Sequence, residues 1–154
     1  MSNSMIVVDA SIALKWFIKE DDSEKAFDLL QRWKTQETLV LAPILLIYEI
    51  TNTLYQNIRK GKIQEDKAAK SLKALMLSGL EFDDAQYSAL GVRAIELAQQ
   101  YGLKTTYDAY YLALAEREGC ELWTADIRLW KAVQEKIDWV RNLEDHNIAT
   151  AEES

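Results

Sequence analysis

Four acidic residues stand at the borders of four separated segments: Asp9 in VVDASIALKWF, Glu49 in LIYEITN, Asp108 in TTYDAYYLALAE and Asp126 in LWTADIRLW. Carboxylates gathered away from water are costly unless a cation offsets their charge. If the fold brings these four together, their hard oxygen donors suit Mg²⁺ or Mn²⁺. A metal held there activates water and offsets charge on a phosphate, which is the chemistry of phosphodiester hydrolysis. Each acid also has a plainer role open to it. Asp108 can stabilise the first turn of its helix, and Asp126 can cap a helix that follows a strand. Glu49 shares a polar stripe with Asn52, Thr53 and Gln56 that can be a solvated helix face. Asp9 is harder to assign that way, because a carboxylate closing an apolar strand lies near the core and needs a partner.

Other chemistries lack their residues. The single histidine, His146, lies in a polar tail, so a Ser-His-Asp triad or a His-based ribonuclease mechanism is not supported. The five glycines form neither a P-loop nor GxGxxG, and HExxH is absent. Asp9 is followed by Ala10 and Ser11, so the DxD pair of aspartyl-phosphate phosphatases is missing. One cysteine, Cys120, excludes an intramolecular disulfide and a Cys-rich zinc site, which fits a reducing cytoplasm.

The elements that must position the acids follow from periodicity and punctuation. MIVVD, residues 5–9, reads as a buried strand, with Ser11 as cap of a helix over SIALKWFIKE. Asp21, Asp22 and Ser23 break the chain and cap a helix to about Lys34, in which Ala26, Leu29, Leu30 and Trp33 have helical spacing. TLVL, residues 38–41, reads as a second strand. Pro43 suits the first turn of a long helix to about Lys60, ended by Gly61. A further helix spans 64–78, and LEF, 80–82, reads as a third strand. Asp83 and Asp84 cap a helix to about Tyr101, and Thr105 or Thr106 opens another to Glu118. ELWT, 121–124, is a fourth strand, followed by a short helix over about 127–135 and a fifth strand at 138–140. The tail from Glu144 is polar and is expected to fray.

Strands alternating with helices predict an α/β sandwich: a central, mostly parallel sheet flanked by helices in three layers. The 154 residues fit one domain. In such a sheet the C-terminal strand ends share one edge, where ligands bind. Asp9 and Asp126 fall on that edge. The formal net charge of −7 argues against holding nucleic acid by bulk electrostatics. An RNA substrate then needs a local basic rim, for which Arg59, Lys60 and Lys62, or Arg128 and Lys131, are available. No secretory signal is visible in MSNSM, and the most apolar run, LVLAPILLIY, is too short to cross a bilayer.

At these residues the chain resembles the PIN-domain nucleases, specifically the VapC-type toxins of toxin–antitoxin pairs. VVDASIALKWF, the E-x-x-N of YEITN, YDAYYLALAE and LWTADIRL carry the resemblance, which extends over about residues 5–140. It implies a parallel sheet with an acidic pocket at one end. It assigns metal binding and catalysis to Asp9, Glu49, Asp108 and Asp126, with Ser11, Asn52 and Thr124 in support. It further implies Mg²⁺- or Mn²⁺-dependent endonucleolytic cleavage of RNA, a small antitoxin as partner, a toxin homodimer, and a cytoplasmic location. Two other functions stay open on these residues: a non-catalytic PIN-like module that binds RNA or protein, and a Mg²⁺-dependent small-molecule phosphatase.

Overall fold

The computed structural model describes residues 4–83 and 87–148. Their strands are β1 (Met5–Val8), β2 (Leu39–Pro43), β3 (Glu81–Asp83), β4 (Glu121–Thr124) and β5 (Val140–Asn142). The helices are α1 (Ala10–Leu14), α2 (Ser23–Thr35), α3 (Leu45–Arg59), α4 (Glu65–Met76), α5 (Tyr87–Tyr101), α6 (Tyr107–Glu118) and α7 (Ile127–Val133), and a 3₁₀ turn covers Leu143–Asp145.

The strands form one sheet in the order β3-β2-β1-β4-β5, every neighbouring pair parallel. Val7, in the middle of β1, lies opposite Leu41 on one side and Leu122 on the other. Strands paired on both sides and covered by helices read as unbroken apolar runs. Ile6, Val7 and Val8 are accordingly all buried. Helix α6 packs across β1, β2 and β4 and against α5. Its Ala109, Tyr111, Leu112, Ala113, Leu114 and Ala115 are all buried, as expected of a helix enclosed on most sides. Among the described residues no helix is long and apolar enough to cross a membrane.

The strand order reverses direction between β1 and β4. The chain runs outward from β1 through β2 to β3, then returns to place β4 on the other flank of β1. A crevice opens at such a switch point, beyond the C-terminal ends of the two central strands. Asp9 directly follows β1, and Asp126 lies two residues beyond β4.

Several local expectations are corrected. Pro43 closes β2 rather than opening α3. It stands at the strand's last position, beside the edge strand β3, where a missing N–H is tolerated. Asp9, not Ser11, caps α1, which is one turn long rather than running through Glu20. Asp22 precedes α2 in a left-handed conformation, φ 66°, without a side-chain cap bond. The fifth strand lies two residues later than expected, at 140–142. Asp83 belongs to β3 and pairs with Arg117 at 2.8 Å; Asp84 lies outside the described residues. The start of the tail is docked, not frayed. His146 Nε2 lies 2.7 Å from Asp28 Oδ2 on α2, and its ring meets Trp123 edge-on. Residues 149–154 lie outside the described residues.

Candidate active site

Asp9 is the best-fixed of the acids. It is 3% exposed, and as cap of α1 it accepts the Ile12 N–H at 3.2 Å on Oδ1. The Ser11 hydroxyl donates to the same oxygen at 2.5 Å. The Thr124 hydroxyl donates to Oδ2. Both hydroxyls also accept: Ser11 Oγ takes the Ala125 N–H at 2.8 Å, and Thr124 Oγ1 takes the Asp126 N–H at 3.0 Å. One network thus ties the end of β1, the start of α1 and the link between β4 and α7. Ser11 lies within α1 and donates to Asp9 rather than capping the helix. Thr124 is fully buried.

Asp126 caps α7, accepting the Arg128 and Leu129 N–H groups at 2.9 and 3.4 Å. Its plainer role is therefore filled, and it holds the carboxylate at the mouth of the crevice. Glu49 sits half-buried on α3, where the polar stripe enters the interior. Its Oε1 accepts the Tyr111 hydroxyl at 2.5 Å. Tyr111 is 1% exposed, and its bond joins α3 to α6. Sequence reading passed over this tyrosine. The available signal was its position three residues after Asp108, on the same helical face. Asn52, one turn beyond Glu49, is exposed and joins no side-chain hydrogen bond among the described residues.

Asp108 lies in the first turn of α6, half-buried. It is the electrostatic centre of the group. Burial pushes its carboxyl above the ordinary range, Asp126 adds to the rise, and Arg128 opposes it. Burial raises Glu49 as well; the Tyr111 hydroxyl opposes the rise and Asp108 adds to it. Asp9 is pushed up to about 7 by burial, against the hydrogen bonds from Ser11, Thr124 and Ile12, with a further push from Asp108. Asp108 therefore adds to the rise at both Asp9 and Glu49, and Asp126 adds to its own. The acids do not close into a cage: among the described residues no three acidic, histidine or cysteine side chains gather tightly enough to enclose an ion. Mutually repelling hard oxygens, opposed by one exposed guanidinium, nevertheless suit an oxygen-seeking cation. Mg²⁺ characteristically takes one or two carboxylates and keeps several waters, and this open arrangement matches that ligand set.

The PIN-domain family profile matches residues 6–136. The chain belongs to the PIN-domain family. Ribonuclease VapC3 of Pyrobaculum aerophilum is 35% identical over 124 residues, covering 80% of this chain and 91% of that protein. This places the chain among the VapC-type members. The crystal structure of PAE2754 from Pyrobaculum aerophilum superposes with a TM-score of 0.67 at 24% identity, covering 93% of each chain. A toxin–antitoxin complex from Klebsiella pneumoniae gives 0.61 at 18% identity, covering 90% of this chain and 97% of that one. The PIN fold and its VapC-type character agree with what the four sequence segments implied. PIN-domain VapC nucleases generally depend on a divalent metal, which agrees with the character of the acids.

Proposed function

We propose that this PIN-domain protein hydrolyses RNA phosphodiesters endonucleolytically at the Asp9–Glu49–Asp108–Asp126 pocket, with Mg²⁺ or Mn²⁺ as cofactor. The observation that carries the assignment is Asp9: a buried carboxylate fixed by three donors at the switch point of the sheet, electrostatically coupled to Asp108. Asp9 and Asp108 are the primary metal ligands in this reading. Asp126 and Glu49 complete the site or orient its waters. When bound, the cation lowers the pKa of a water and offsets charge on the phosphate.

The chain's own residues supply position and proton exchange. Ser11 and Thr124 clamp both oxygens of Asp9, so its carboxylate does not reorganise as substrate arrives. Tyr111 holds one oxygen of Glu49 and leaves the other available. Glu49, whose carboxyl burial raises, is the member of the set placed to exchange a proton with an attacking water. Attack on phosphorus in line breaks the bond to the 3′ oxygen, which leaves with a proton.

A small antitoxin is the expected inhibitor, since a similar fold is seen in a toxin–antitoxin complex. A pair of toxin chains is the expected assembly, which light scattering tests. The deciding experiment is cleavage of single-stranded RNA by the purified chain. Product should form with Mn²⁺ and stop in excess EDTA. Cleavage that persists in EDTA would exclude the metal. Metal binding without RNA cleavage, but with turnover of a small phosphate ester, would favour the phosphatase alternative. Binding of RNA without any turnover would favour a non-catalytic module.

A further inference from the structure

Lys104 and Arg128 line one open cavity of about 390 Å³, together with Thr105 and the acids Asp108 and Asp126. Lys104 and Thr105 come from the link between α5 and α6, and Arg128 comes from α7. The Arg128 side chain is 91% exposed, and its Nε lies 3.9 Å from Asp126 Oδ1. An ion pair that long and that exposed contributes little to stability, so the guanidinium is available to another anion. The Thr105 hydroxyl accepts the Tyr107 N–H at 3.4 Å, which leaves its own hydrogen to donate. Lys131, on the same helix as Arg128, does not line this cavity. Neither do Arg59, Lys60 and Lys62.

We propose that Lys104, Thr105 and Arg128 form a subsite for an RNA backbone phosphate adjacent to the one cleaved. This deepens the ribonuclease reading and rests on it. A chain of net charge −7 repels a polyanion in general, and the acids repel it at the very place where it must react. Two cations and a hydroxyl beside those acids offset the charge of Asp108 and Asp126 at this point. Arginine offers two parallel donors to a phosphate, and lysine adds a point charge. Among the described residues no aromatic ring lines the cavity, so they provide no stacking platform for a base. The subsite therefore grips the backbone without regard to sequence.

The test is steady-state cleavage of a short single-stranded RNA with Mn²⁺ over a range of KCl concentrations. Both cationic side chains are exposed, so the double variant Lys104→Ala/Arg128→Ala should fold, which its melting temperature checks. Its KM should rise about tenfold, with kcat changed by less than about threefold. Each single-strand phosphate contact adds about 0.7 to the salt slope, so log(kcat/KM) against log[KCl] should be shallower by about 0.7 for this one phosphate. The charge-keeping double variant Lys104→Arg/Arg128→Lys should recover most of the KM. Lys131→Ala should leave both quantities as in wild type. A double variant with wild-type KM and salt slope, or a Lys131→Ala variant as impaired as the double one, overturns the subsite while the ribonuclease reading stands. A wild-type chain that cleaves no RNA overturns that reading, and the subsite with it.

Discussion

The two edges of the sheet are built from the same strands and differ in almost everything else. At the N-terminal ends of β1 and β4 lies a cavity of about 840 Å³, lined by Met5, Ile6, Trp33, Cys120 and Trp139 among others. It is about twice the size of the 390 Å³ cavity beside Asp108 at the opposite edge. The larger cavity has aromatic walls and a thiol that burial pushes up to about 11, with Glu118 and Glu121 adding to the rise. A thiol that stays protonated at neutral pH is a poor nucleophile. The smaller cavity is lined by Asp108, whose carboxyl burial pushes up, and by Asp126, which caps α7. Parallel strands direct the connections that follow them to one edge only, and polar groups from separate segments converge there. The larger cavity and the four acids thus lie at opposite ends of the central strands.

The comparison breaks first at Asp9. Asp9→Asn keeps the shape, and its amide can still accept from Ile12 and Ser11 and donate to Thr124. RNA cleavage should nevertheless fall at least about 100-fold, in line with losing a group that organises charge at the reacting centre. Circular dichroism should show the fold intact. Wild-type cleavage by that variant would remove the acid edge from the mechanism.

A smaller loss is expected from Tyr111→Phe, which deletes only the hydroxyl that holds Glu49. Orienting partners of this kind typically account for about a tenfold effect or more. The loss should appear in kcat with KM little changed, and unaltered kcat would leave Tyr111 a core residue only.

The acid edge should also impose a pH dependence on metal-free stability. Asp9 has an ordinary value of 3.8 and a folded value of about 7, so the folded chain binds the extra proton between them. Its contribution is fully present below about pH 4 and is lost as pH rises through about 7, each unit of separation being worth about 1.4 kcal/mol. In EDTA, the urea midpoint of Asp9→Asn should therefore gain on wild type between pH 5 and pH 8. Parallel curves for the two proteins would show that burial does not penalise the Asp9 charge.

The smallest effect belongs to the other edge. Cys120→Ser should leave RNA cleavage unchanged and move stability by only about 0.5 kcal/mol, as for other half-exposed sites away from special contacts. A clear loss of cleavage there would erase the contrast between the two ends.

Local pattern carried a good deal of this molecule. The apolar run at 5–8, the helical spacing through Ala26, Leu29 and Trp33, and the alternation of strands with helices specify elements and a parallel sheet, because side-chain periodicity reports directly on burial. The placement of Asp9 after one strand and Asp126 after another was equally legible. Cap chemistry was read less well. Asp9 and Ser11 are both good cap residues, and only the buried position of Asp9 decides between them. Tertiary structure alone decided that β1 and β4 are neighbours, and hence that Thr124 reaches Asp9 across 115 positions of chain. It likewise brought Tyr111 to Glu49 across 62 positions. It set the acids as an open group around Asp108 rather than a closed cage. Strand order and helix contacts of that kind minimise the free energy of the whole core, and no local window of sequence contains that sum.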